Sequence, residues 1–101
     1  MTPQPDQLRI KICGLTRRED ALLAAELGAF ALGFVFYPPS PRAIAPEAAA
    51  TLIAALPQKL WKVGVFVNAS YDEMAGIAET AGLTHLQLHG DESPELCLRL
   101  Q

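Results

Sequence analysis

The amino-acid sequence predicts an α/β fold of four successive strand–helix units, arranged as part of a (β/α)8 barrel rather than as a small doubly wound sheet. Three observations carry that expectation. Short apolar or β-branched runs alternate with helix-forming segments in the order β-α-β-α-β-α-β-α, which means parallel strands joined by right-handed crossovers. The first and last strands each carry a polar row on one face. Arg9, Lys11 and Cys13 stand opposite Ile10 and Ile12, and His85, Gln87 and His89 stand opposite Leu86 and Leu88. A doubly wound sheet lies under helices on both faces, where unpaired polar rows are costly to bury; a barrel interior opens into a site at its upper end. The third observation is length. The 101 residues are too few to close an eight-fold barrel, which takes about 200 or more, so four units amount to a half-barrel.

Each element has its own signature. Leu8 to Cys13 (LRIKIC) is short and alternating, hence a strand. Thr16 and Glu19 form a capping-box pattern at the start of a helix that stops near Gly28, a good left-handed terminator. Phe30 to Phe36 (FALGFVF) is nearly all apolar, as in a strand covered on both faces. Pro38, Pro39 and Pro41 make the next connection a stiff loop, and Pro46 suits the first turn of a helix reaching about Leu56. Leu60 to Val67 (LWKVGVFV) reads as the third strand. Ser70 and Glu73 form a second capping box, on a helix ending at Gly82. Thr84 to His89 (THLQLH) is the fourth strand, and Ser93-Pro94-Glu95 opens a fourth helix. One domain spans residues 1–101, with 1–7 a flexible lead-in.

Composition narrows the partners. Hydrophobic residues make up 50% and charged residues 19%, the balance of a globular domain. Eight basic against eleven acidic residues give a net charge of −3, and no basic block is present, which argues against nucleic-acid and anionic-membrane partners. No apolar run approaches the ~18 residues of a membrane span. The start, MTPQPDQ, lacks the charged-then-apolar pattern of a signal peptide, and two cysteines do not make a disulfide framework; a cytoplasmic location is expected.

Active groups in parallel α/β structures gather at the C-terminal ends of strands. Four such ends are visible: Cys13-Gly14, the loop through Arg42, Asn68, and His89-Gly90-Asp91-Glu92. Cys13 lies between a helix start and cationic Lys11, surroundings that favour a thiolate base or nucleophile; a small buried hydrophobe fits the same place, and position alone leaves both open. Cys97, between Leu96 and Leu98, reads as packing. Arg42 on a stiff loop suits bidentate capture of a carboxylate or phosphate, against the commoner role of a solvated loop arginine. Lys11 on an inward face needs either a function or a partner such as Asp91 or Glu92. Those two carboxylates read as neighbours of a helix start rather than as an acid–base dyad. His85 and His89 share a face but stand roughly 13 Å apart at ~3.3 Å per residue, too far to share a metal ion. No nucleotide-binding glycine motif is present. Phe34, Phe36 and Trp61 read as core.

Lys11-Ile12-Cys13-Gly14-Leu15-Thr16, Gly33-Phe34-Val35-Phe36 with Ser40-Pro41-Arg42, Val63 to Asn68 (VGVFVN), and Leu86 to Glu92 (LQLHGDE) together resemble the phosphoribosylanthranilate isomerases of tryptophan biosynthesis. The segments fall in order, at strand ends, from residue 9 onward. The resemblance implies a TIM barrel that rearranges N-(5′-phosphoribosyl)anthranilate into 1-(2-carboxyphenylamino)-1-deoxyribulose 5-phosphate, without metal or organic cofactor. It implies Cys13 as general base, Arg42 as the holder of the anthranilate carboxylate, and Lys11, Gln87 and His89 along the mouth or interior. The family's general acid, an aspartate on a later strand, and its phosphate-binding loops have no counterpart in these residues. The sequence therefore reads as the N-terminal half of such an enzyme, inactive as this truncated chain. Two alternatives stand beside it. One is a non-catalytic half-barrel that works only by self-association through its strand edges or by pairing with a complementary half; the other is a different sugar-phosphate barrel enzyme.

Overall fold

The computed structural model describes residues 9–101, so the expected lead-in over 1–7 and the strand position of Leu8 lie outside the described residues. Four strands and four helices alternate: β1 (Lys11–Ile12), α1 (Arg18–Glu26), β2 (Ala31–Val35), α2 (Pro46–Ala54), β3 (Trp61–Phe66), α3 (Tyr71–Ala81), β4 (His85–Leu88) and α4 (Pro94–Leu100). The sheet is four-stranded in the order β1-β2-β3-β4, and all three pairings are parallel. Strand order therefore follows chain order, with no reversal of the kind that marks a doubly wound sheet. With right-handed crossovers, a monotonic order sends every helix to the same side. The other face is left for a site.

Register fixes which residues share each face. Lys11 pairs with Ala31 and Ala31 with Trp61; Gly33 pairs with Val63 and Val63 with His85; Val35 pairs with Val65 and Val65 with Gln87. These form the inner face. The alternate residues point to the helices, and Leu32, Phe34 and Phe66 are fully buried there with Met74 of α3. Phe36 and Phe66 stack with centroids 5.4 Å apart. A Cβ at Gly64 would lie 2.4 Å from Leu83 Cδ1 and 2.9 Å from Phe66 Cε2, so this glycine leaves room for the Leu83 and Phe66 side chains against β3.

The helix ends follow the expected signals except at the capping boxes, where the Ser70–Glu73 box forms its Ser70 half alone among the described residues. Gly28 (φ 93°) closes α1 in a Schellman arrangement: its N–H donates to the Ala25 carbonyl at 3.1 Å, and the Ala29 N–H donates to Ala24 at 3.1 Å. Gly82 (φ 83°) ends α3, and Ser70 and Ser93 accept from the Glu73 and Leu96 N–H groups at 3.1 and 3.2 Å. Pro46 and Pro94 stand in the first turns of α2 and α4. The Thr16–Glu19 capping box does not form. Arg17 is the N-cap of α1, without a side-chain cap, and its Nε donates to the Glu19 carboxylate at 3.1 Å. With the cap at Arg17 instead of Thr16, Glu19 is no longer at the position that the box requires.

Two further expectations are corrected at the sheet margins. Trp61 is not core: it opens β3 on the inner face and is 39% exposed. Cys97 is exposed, because α4 buries none of its residues. The apolar face of β1 is open as well, with Ile10 58% exposed. Among the described residues β1 and β4 each have a strand on one side only, so their outer flanks stay uncovered.

Lys62 is the charged residue of the sheet's helix-facing side, buried at 5% exposure. Its ammonium donates to the Pro57 and Gln58 carbonyls at 2.8 and 3.1 Å, tying the turn before β3 to the strand. Burial pushes its pKa below the ordinary lysine value.

Candidate active site

Cys13 and Arg42 both lie at the C-terminal end of the sheet, Cys13 packed on Gly33 and Arg42 on Gly14. Gly14 adopts φ 81°, a left-handed conformation that favours glycine, and its N–H donates to the Gly33 carbonyl at 3.0 Å. That bend holds Cys13 over β2. A Cβ added at Gly33 would lie 2.8 Å from Cys13 Sγ, and one added at Gly14 would lie 2.6 Å from Arg42 Cδ. The two glycines are therefore spaces occupied by the two candidate side chains. Cys13 is an exposed free thiol. Arg42 is held by its loop: its backbone N–H donates to Ser40 Oγ at 3.1 Å, and Ala43 extends a bridge to Val35. Among the described residues the Arg42 guanidinium has no ion-pair partner, which leaves it available to an anion.

On the same inner face Lys11, Gln87 and His89 form a hydrogen-bonded row. The Lys11 ammonium donates to Gln87 Oε1, and Gln87 Nε2 lies 3.2 Å from His89 Nδ1. The partner of Lys11 is thus an amide across the sheet, not Asp91 or Glu92. Below the row, a groove of about 370 Å³ is lined by Lys11, Ala31, Trp61, Val63, His85 and Gln87. Its N-terminal edge is closed by a stack. The Arg9 guanidinium lies 4.9 Å from the Phe30 ring centroid, Phe30 and Trp61 centroids are 4.6 Å apart, and the Trp61 and His85 rings stack nearly parallel with centroids 3.5 Å apart.

Asp91 and Glu92 hold two loops together. Glu92 accepts from the Asn68 and Gly90 N–H groups at 2.7 and 2.8 Å, and the Asp91 N–H donates to Asn68 Oδ1 at 2.8 Å. Asn68 takes φ 53° to do this, a conformation asparagine tolerates better than most residues. The clasp joins the loops after β3 and β4. Its backbone hydrogen bonds, that from Asn68 foremost, hold the Glu92 carboxyl below the usual range. No group of three or more metal-ligating side chains is assembled among the described residues, and none of their helices is long and apolar enough to cross a membrane.

Sequence reasoning misses Gly33, Trp61 and the Asn68–Glu92 clasp. Gly33 does carry a signal: a lone glycine inside an otherwise apolar strand marks a close approach.

Residues 10–101 match the family described as N-(5'phosphoribosyl)anthranilate (PRA) isomerase. The N-(5'-phosphoribosyl)anthranilate isomerase of Syntrophus aciditrophicus is 54% identical over 90 residues, which is 89% of this chain and 39% of that protein. A phosphoribosyl anthranilate isomerase crystallised with reduced 1-(o-carboxyphenylamino)-1-deoxyribulose 5-phosphate superposes with a TM-score of 0.91 at 47% identity, over 92% of this chain and 48% of its own. The enzyme from Thermus thermophilus gives 0.88 at 53% identity, over 90% and 46%. The chain spans less than half the length of these relatives.

Proposed function

The chain belongs to the phosphoribosylanthranilate isomerase family, a TIM-barrel family, and on that premise we propose that residues 1–101 supply one half of an isomerase active site. In this reading they are the first four units of the barrel. The reaction is the Amadori rearrangement of N-(5′-phosphoribosyl)anthranilate in tryptophan biosynthesis. The observation that carries it is the packing of Cys13 on Gly33 and of Arg42 on Gly14, which brings a candidate base and a candidate anion-binding group to the same end of the sheet.

The chemistry follows from that geometry. Arg42, free of a carboxylate partner, grips the anthranilate carboxylate and fixes the aromatic end of the substrate. Protonation of the furanose ring oxygen opens the ring to a Schiff base. Cys13 then takes the C2′ proton, and the enolamine that results tautomerises to the ketone. Lys11, Gln87 and His89 line the floor beside this path. The proton donor and the phosphate grip lie on strands and loops beyond these residues, and the open flanks of β1 and β4 are the seams at which the other half joins.

The test is complementation. The chain alone is expected to give no turnover in a fluorescence assay of phosphoribosylanthranilate consumption. Co-produced with the remaining half of a relative, it is expected to give turnover, and Cys13→Ser in that assembly is expected to lower kcat by about 10²–10⁴-fold, the usual scale for a general base. Undiminished activity in Cys13→Ser removes Cys13 from the mechanism, and turnover by the chain alone overturns the division of the site.

A further inference from the structure

The polarity of the Lys11–Gln87–His89 row has a chemical consequence at the site mouth. A lysine ammonium carries three donors and no acceptor, so the Gln87 atom facing it must be the carbonyl oxygen. The amide nitrogen of Gln87, which only donates, is thereby turned towards His89 Nδ1, 3.2 Å away. A donor there requires Nδ1 to accept. The neutral imidazole then carries its proton on Nε2.

We propose that Gln87 is a positioning residue: held by Lys11, it sets the His89 tautomer so that Nε2–H is offered as a donor at the C-terminal end of β4. Nε2 has no partner among the described residues, and His89 is exposed beside the clasped loop of Asn68 and Glu92. A neutral donor in that place suits an acceptor oxygen, a hydroxyl or ring oxygen of a sugar, better than the carboxylate that Arg42 takes. This rests on the function proposed above only for the identity of the ligand; the tautomer itself is a property of the free chain.

The experiment is ¹⁵N–¹H correlation spectroscopy of the imidazole rings in the full chain at a pH where they are neutral. The chain has two histidines, and His85→Gln assigns the signals. Wild type is expected to show His89 protonated at Nε2 and bare at Nδ1. Gln87→Glu places an acceptor against Nδ1, and the proton is expected to move there, exchanging the bare-nitrogen signal from Nδ1 to Nε2. Lys11→Met frees the amide to turn over and is expected to give a mixture of tautomers, an independent check if Gln87→Glu does not fold. A wild-type ring protonated at Nδ1 overturns the proposal, as does an unchanged tautomer in both variants. In the complemented assembly Gln87→Glu is expected to lower kcat/KM by about tenfold, the scale of one lost hydrogen bond. An unchanged kcat/KM alongside a switched tautomer overturns the ligand contact, whereas activity surviving Cys13→Ser strikes the isomerase reading and leaves the tautomer result standing.

Discussion

Gly33→Ala tests whether the sheet is built around Cys13. The added Cβ would lie 2.8 Å from Sγ and 3.3 Å from both Cα and Cβ of Cys13. Ordinary carbon contacts sit near 3.5–4.0 Å, so the sulfur must retreat by roughly 0.8 Å. Rotation of the thiol relieves that contact alone, at a cost of about 0.5–1.5 kcal/mol if it leaves its rotamer. The two contacts at 3.3 Å remain, one of them to backbone, and need a shift of a few tenths of an ångström. The Gly33 carbonyl also receives the Gly14 and Leu15 N–H groups at 3.0 and 3.2 Å, so that shift is transmitted to the turn under Arg42. Overpacking of this kind costs about 1–3 kcal/mol. Urea denaturation followed by Trp61 fluorescence measures it, and Cys13→Ala provides the control background. With the sulfur gone the largest clash disappears, so the two substitutions are expected to couple by at least ~1 kcal/mol. An equal penalty for Gly33→Ala in both backgrounds refutes the contact. In the complemented assembly, moving Cys13, the proposed base, by most of an ångström is expected to lower kcat by about 10²-fold.

Two other outcomes follow from the loops. Glu92 has a folded pKa below its unfolded value, so its contribution is complete above the ordinary carboxylate range and is lost as pH falls through the lower folded value. The protection factors of the Asn68 and Gly90 amides, taken against the intrinsic exchange rate at each pH, are therefore expected to fall on acidification and to be low at all pH values in Glu92→Gln; protection that persists in that variant refutes the clasp. Gly14→Ala meets both the left-handed φ of 81° and the Arg42 side chain at 2.6 Å, and is expected to cost about 1–2 kcal/mol from the backbone conformation alone. In the complemented assembly it should raise KM, through the displaced Arg42, more than it lowers kcat; a normal KM refutes the shared wall.

The alternation of polar and apolar residues along each strand is enough to assign the sheet faces. The inner row of Lys11, Cys13, Gln87 and His89 and the outer row of Leu86 and Leu88 are where periodicity puts them, because pleat and parallel register leave a residue only two directions. Both helix-capping serines and both helix-ending glycines are legible for a similar reason: they act within a few residues of themselves. What stays hidden in the sequence depends on residues far apart in the chain. The partner of Lys11 is 76 residues away, the Asn68 amide finds Glu92 24 residues on, and only the fold brings them together. Even a local rule can miss by a residue: α1 is capped at Arg17 rather than Thr16, so Glu19 no longer stands at the box position and pairs with the Arg17 guanidinium instead.

The remaining departures from expectation have one physical source, and it bears on function. Pattern alone marks Trp61 and Cys97 as packed, and Ile10 and Ile12 as the covered side of a strand, because apolar and cysteine side chains in those settings are usually buried. Trp61 instead borders the inner groove, while Ile10, Ile12 and Cys97 lie on the free flanks of β1 and β4. The flank of β4 opens into a groove of about 590 Å³ lined by Leu83, Leu86, Leu88, Cys97 and Leu100. Water against such surfaces is costly at roughly 25 cal/mol per Å². In the proposed half-barrel reading, residues coded for burial but left exposed mark where the sheet would continue. The proposed function draws the same boundary, with Cys13 and Arg42 as the proposed base and carboxylate grip on this side of it. Under that proposal stability and catalysis share one remedy: an assembly that covers Ile12 and Leu88 would also complete the site around Cys13.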